Sequence, residues 1–194
     1  KSTPNLIGVE KIVGNKVAPS PILSKLGQIG IADIVLDADG KVRRGLLSVR
    51  MEDGKTKLSL GTRLALMYLE KEGITLKNID AKKKYLGLGK AVFVPFTGNE
   101  GGYVRANAGG YQILFNWRGT LENFTTISIK DVLSNKIPPN ILENRIVLIG
   151  VTGSSLNDLF FTPYNNNLFA TPKRTPGVVI HANLTSQILS LIHI

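Results

Sequence analysis

The sequence predicts an α/β domain with a mixed, partly parallel sheet flanked by helices and an antiparallel hairpin around Asp37-Ala38-Asp39-Gly40. Three observations point there. Ile146-Val147-Leu148-Ile149 and Val151, interrupted only by Gly150, carry no polar side chain, as expected of a central strand buried on both faces. The apolar, β-branched stretch 29–36 runs into Asp37-Ala38-Asp39-Gly40, where a glycine supplies the positive φ of a tight turn. Two other stretches repeat apolar residues at helical spacing: Leu60, Leu64, Met67 and Tyr68, and later Ile180, Leu184, Ile188 and Leu191.

A chain of 194 residues holds one domain with a sizeable core. Apolar residues at 43% and charged ones at 20% mark a globular chain rather than a disordered one. No apolar run approaches the ~20 residues of a membrane span, and no apolar signal segment follows Lys1. The chain is therefore expected to be soluble, or a soluble piece of a membrane protein. It has no cysteine, which excludes disulfides, thiolate nucleophiles and cysteine-bound metals. Lys and Arg total 24 against 14 Asp and Glu, a net charge of +10. Such a balance suits nucleic acid, anionic membrane surfaces or acidic ligands. Lys82-Lys83-Lys84 is the single basic run, and no aromatic residues alternate with a basic stripe. Nucleic acid is not expected as a partner, and anionic lipid headgroups account for the charge at least as well.

In chain order, residues 5–13 read as a first strand. Ala18-Pro19-Ser20-Pro21 breaks it, and 22–28 is a short helix or loop. Stretch 29–36 is the second strand, 41–50 the returning antiparallel strand, and Glu52-Asp53-Gly54-Lys55 a second turn. Ser59 suits a helix N-cap, and Gly73 a left-handed helix end. The face of Leu60, Leu64, Met67 and Tyr68 is expected in the core, where each large side chain contributes ~1.5–3 kcal/mol before entropy. Residues 75–88 are basic and weakly patterned, a surface excursion. Stretch 91–96 is a strand that Pro95 ends or places at an edge. Residues 98–110 hold five glycines and read as a loop, and 111–117 alternate with Ile113, Phe115 and Trp117 on one face. A short helix over 127–133 stops at Ile137-Pro138-Pro139, and the final helix follows Thr175-Pro176-Gly177.

In open α/β sheets, ligands collect just outside the carboxyl ends of the strands, so the segment after Gly150 is the first place to search. Asp37-Ala38-Asp39-Gly40 lacks the series of oxygen ligands a calcium loop needs and reads as a plain hairpin turn. Arg43 and Arg44 suit an anion, but on a strand they point to opposite faces, so at most one can face a given site. Gly150-Val151-Thr152-Gly153-Ser154 lacks the glycine spacing of a dinucleotide loop, and no cofactor is expected. Ser154, Asp158 and His181 are the one nearby nucleophile, carboxylate and imidazole, but Ser154 is not on a Gly-x-Ser-x-Gly elbow. A serine hydrolase using Ser154 and His181 is the first alternative, yet no catalytic residue is assigned. Two histidines far apart in sequence, His181 and His193, give no metal site. What remains is a polar edge, with Thr152, Ser154, Asp158 and His181 as candidate ligand-binding residues. His181 falls at a helix start, where the dipole favours the neutral imidazole.

The order of motifs resembles the CHASE domain of the second type. Four stretches carry the likeness: Gly30-Ile31-Ala32-Asp33-Ile34-Val35-Leu36-Asp37-Ala38-Asp39-Gly40-Lys41-Val42-Arg43-Arg44; Asp131-Val132-Leu133; Arg145-Ile146-Val147-Leu148-Ile149-Gly150 with Asp158 and Thr162-Pro163; and Pro176-Gly177-Val178-Val179-Ile180-His181-Ala182-Asn183. The combination spans about 150 residues. The resemblance implies one extracytoplasmic sensory domain over 1–194, lacking the family's N-terminal strands and helices. It also implies flanking membrane segments and a cytoplasmic adenylate cyclase, serine/threonine kinase or histidine kinase module in a bacterial receptor. The expected signal is an unidentified small molecule or ion. A sheet edge left open by missing strands would favour a homodimer. A second alternative is a domain that only assembles proteins and binds no small ligand.

Overall fold

A computed structural model describes residues 3–138, 140–153, 158–165 and 173–192. In chain order the elements are β1 (Gly8–Glu10), α1 (Pro21–Lys25), β2 (Ile29–Ile31), β3 (Arg44–Arg50), β4 (Thr56–Leu58), α2 (Leu60–Glu70), β5 (Leu76–Asp80), β6 (Tyr85–Leu88), β7 (Ala91–Phe93), β8 (Tyr111–Leu114), α3 (Ile129–Leu133), β9 (Leu159–Phe160), β10 (Thr175–Pro176) and α4 (Gly177–Ile192). β1 and β2 pair in parallel. Three antiparallel groups accompany them, in the orders β4-β3-β8, β5-β6-β7 and β10-β9. The fold is thus mixed α/β, with parallel and antiparallel pairing in separate small sheets.

Several expectations rest on local chemistry and hold. At the first turn Asp37 N–H donates to the Lys41 carbonyl at 2.9 Å, and Gly40 has φ +76°. At the second, Met51 N–H donates to the Lys55 carbonyl, and β3 pairs with β4. The Ser59 Oγ accepts the Thr62 N–H at 3.3 Å and caps α2. Gly73, at φ +73°, lets the Ile74 N–H reach back to the Leu69 carbonyl.

Packing overturns others. The face of α2 that enters the core carries Gly61, Thr62, Ala65 and Leu69, whereas Tyr68 of the expected stripe is 39% exposed. The reason is close approach. A Cβ on Gly61 would lie 3.0 Å from Leu184 Cβ, so small residues let α4 settle onto α2. Leu47, Ala65, Leu69, Phe93, Ile113, Leu184 and Ile188 form the centre of the core, with Ile180 and Ile192 also buried on α4. The supposed surface excursion at 75–88 contains the hairpin of β5 and β6, nearly all of β5 being exposed. A tight turn makes it: Asp80 Oδ1 accepts the N–H groups of Lys82 and Lys83.

The largest correction concerns residues 145–151. They form no strand, and among the described residues none pairs with them. Val147, Ile149 and Val151 are 49%, 86% and 52% exposed, so the segment is not a strand buried on both faces. Ile146 and Leu148 turn the other way, along a groove of about 390 Å³ against Ala182, Thr185 and Leu189 of α4. An apolar run signals burial only where the tertiary structure supplies neighbours on both sides.

Candidate functional site

The short pair of β9 and β10 brings Asp158 to the first residue of α4. Phe160 faces Thr175 and Leu159 faces Pro176, and the Gly177 N–H donates to the Asp158 carbonyl at 3.0 Å. The carboxylate folds over the helix end. A Cβ on Gly177 would stand 2.5 Å and 2.6 Å from its two oxygens, so a side chain at 177 would displace it. A helix amino terminus has free N–H groups and a positive dipole end, both of which suit a carboxylate. The residue as a whole is exposed, yet crowding against the helix strips water from the carboxyl. That desolvation pushes its pKa up, opposed by the charge of Lys11 and by a hydrogen bond from Gly177.

Gly150 meets the same turn from another direction, since a Cβ there would lie 2.5 Å from Val178 Cβ. The chain therefore leaves Val178 after Gly150 and returns to Gly177 at Asp158. Thr152 is exposed just beyond Gly150. Ser154 lies outside the described residues.

His181, one turn along α4, is 7% exposed. Desolvation lowers its pKa to about 4, against the opposing pull of a hydrogen bond to the Ala32 backbone and of the Asp33 charge. The imidazole is neutral near pH 7 and faces the interior, so it does not present a base to a surface nucleophile. Asp33 in turn accepts the N–H groups of Ile12 and Val13, each at 2.8 Å. The structure thus gathers Asp158, Lys11, Asp33 and His181 around the amino end of α4. Lys11, Asp33 and Gly177 escape a reading by residue chemistry, because only the fold joins positions so far apart. The signal for Asp33 and Gly177 was their place inside the motif stretches. Among the described residues no group of three or more His, Cys, Asp or Glu is placed to hold a metal.

The sequence matches the CHASE2 domain over residues 1–194, the whole chain. The protein belongs to the CHASE2 family. CHASE2 domains are extracellular sensory domains of signalling receptors and are not catalytic. Neither the curated proteins nor the solved structures include a match. Among the described residues no helix is long and apolar enough to cross a membrane.

This CHASE2 domain has a second polar centre at the first hairpin. Asp37 accepts from Arg43 Nη1 at 2.7 Å, from Arg44 Nε at 2.8 Å and from Tyr103 OH at 2.7 Å. Arg43 and Arg44 therefore converge on one carboxylate, contrary to the expectation of opposite faces. β3 begins only at Arg44, and the tight turn folds Asp37 back within reach of both. Arg44 is 3% exposed. Its guanidinium also donates to Gln112 Oε1 at 2.7 Å and to the Asn107 carbonyl at 2.6 Å, and lies against the edge-to-face pair of Phe96 and Tyr103, 4.9 Å and 5.2 Å from their ring centres. Burial alone would raise the Asp37 carboxyl, but the bonds from Tyr103, Arg43 and Arg44 outweigh it and hold the pKa below its ordinary value. The anion that occupies these arginines is the protein's own.

Proposed function

We propose that this CHASE2 domain is the extracytoplasmic ligand-sensing part of a bacterial membrane receptor. It passes its signal to a cytoplasmic adenylate cyclase, serine/threonine kinase or histidine kinase module. A small molecule or ion is received at the amino end of α4, with Thr152, Ser154, Asp158 and His181 as the candidate residues. The observation that carries this reading is the position of Asp158. Its carboxylate rests on the first residue of the helix that runs through the core, and among the described residues its desolvation there is offset only by the Lys11 charge and the Gly177 N–H. A ligand that changes the charge or contacts of Asp158 acts on one end of a rigid element. Differential binding to two positions of α4 would then bias whatever α4 leads to. The +10 charge suits a domain held close to anionic headgroups.

A thermal-shift screen of metabolites and ions tests the site. A ligand that raises Tm in the wild type should lose most of that effect in Asp158→Asn and in Thr152→Val. Equal stabilisation of all three proteins removes the site assignment. The domain is also proposed to act as a homodimer, since the unpaired 145–151 segment presents Val147 and Ile149 outward. Sedimentation showing a monomer at every concentration would overturn that.

A further inference from the structure

We propose that a second site, on the outer face of α2, takes a small carboxylate with an apolar body. It does not depend on the site at the amino end of α4. Arg63, Met67 and Glu70 of α2, with Lys71 at its C-cap, form one stripe opposite the Gly61, Ala65 and Leu69 face that enters the core. The stripe lines a cleft of about 540 Å³ that residues 4–7 and the end of α1 close from the other side.

Three features define what fits. The first is an incompletely used cation. Arg63 Nη2 donates to the Gly27 carbonyl at 2.8 Å, while its Nε is buried with no hydrogen-bond partner. The Nη1 group also lacks a partner among the described residues but is not buried, and a carboxylate in the cleft would meet it with charge-assisted bonds. Lys71 stands on the same stripe, and among the described residues neither cation is held in an ion pair. The second feature is an apolar lining of Ile7 and Met67 with the exposed Leu26 at its rim, which suits a branched or aromatic body rather than a free inorganic anion. The third is a fixed wall. Gln28 is 8% exposed, and the two N–H groups of its Nε2 are shared among the carbonyls of Thr3, Pro4 and Leu6, each 2.9 Å away. That clasp ties residues 3–6 to the turn before β2 and shapes the cleft in advance.

Glu70 gives the site a further discrimination. Its carboxylate is exposed at the rim beside the two cations and is available to an ammonium group. Simple carboxylates and amino acids share the chemistry that Arg63 recognises, and Glu70 separates them. The site is also mechanically connected. On the inner face of α2 Leu184 packs against Gly61, and the Thr185 hydroxyl, which donates to the His181 carbonyl at 2.9 Å, also lies 3.3 Å from the Gly61 carbonyl. An occupant on one face of α2 thus bears on the helix that supports α4.

The experiment is a titration of the 194-residue chain, followed by amide NMR, with 4-methylpentanoate, leucine and leucinamide. Both carboxylates should give saturable shifts at residues 26–28 and 63–71, and leucinamide should give none. Arg63→Gln should weaken 4-methylpentanoate about tenfold or more, the scale of one hydrogen bond to a charged group. Arg63→Lys should recover part of that loss. Lys71→Gln, at an exposed position remote from the core, should weaken it several-fold with an unchanged fold. Leucine binding more tightly than 4-methylpentanoate, with the advantage lost in Glu70→Gln, would identify amino acids as the source; equal binding would identify simple carboxylates. No saturation by either carboxylate, equal binding of leucinamide, or unchanged affinity in folded Arg63→Gln or Lys71→Gln would each overturn the proposal.

Discussion

Asp37 and Asp158 are both carboxylates set against the ends of regular elements, yet their surroundings differ in kind. Asp37 receives two guanidinium groups and a phenol, and its pKa falls. Asp158 is desolvated against the start of α4, opposed among the described residues by the Lys11 charge and one backbone donor, and its pKa rises. A saturated buried ion holds structure together and has no capacity left for a ligand. An under-partnered one is poised to gain stabilisation from a new partner. This contrast, more than either motif alone, separates the structural clasp from the proposed sensor end of the molecule.

The sharpest way to break the comparison is Arg44→Met. It leaves Asp37 without its most buried partner and should cost about 3–5 kcal/mol in urea unfolding. A loss under about 1 kcal/mol would show that the clasp is not structural. Next in size is the pH response of His181. Its folded pKa of about 4 lies below the unfolded value of 6.5, so the unfolded chain takes up the proton first. Stability should be unaffected above that unfolded value and fall as pH drops from there toward the folded one, by up to roughly 3 kcal/mol. Unfolding curves across this window should show the slope, and His181→Gln should flatten it. Tyr103→Phe keeps the ring beside Arg44 but removes one donor to Asp37, and should cost about 1.5 kcal/mol by the same unfolding assay. The smallest effect is expected at the other carboxylate. With its folded pKa raised, the ionised Asp158 opposes folding, and acid relieves it. Asp158→Asn should leave Tm unchanged or raise it near pH 7. A clear drop in Tm would place Asp158 with Asp37 as a structural anchor and end the contrast.

Much of this was legible from residues alone. The turns at Gly40 and Gly54, the Ser59 cap and the Gly73 helix end depend on backbone sterics and neighbours within five residues. The motif order, from the 30–44 stretch to the one ending at Asn183, was enough to point to the CHASE2 family. Of the four candidate site residues, Asp158 and His181 do come to one helix end, and Thr152 leaves from the same turn. A sequence pattern misleads where it has two physical solutions. Leu60, Leu64, Met67 and Tyr68 are helically spaced, but so are Gly61, Ala65 and Leu69, and only the second set lets α4 approach. The apolar run 145–151 suits a buried strand or a non-strand segment with one covered side, and neighbours decide between them.

By itself, then, the sequence determined the family, the mixed α/β class, the tight turns and the caps, because each rests on composition, motif order or short-range geometry. Tertiary structure alone decided which face of α2 is covered, that 145–151 remains unpaired, and that Arg43 and Arg44 share Asp37. It also set Lys11, Asp33 and Asp158 around the start of α4. Those outcomes turn on contacts between distant positions, and on the desolvation they impose. Neither is encoded in any local run of residues.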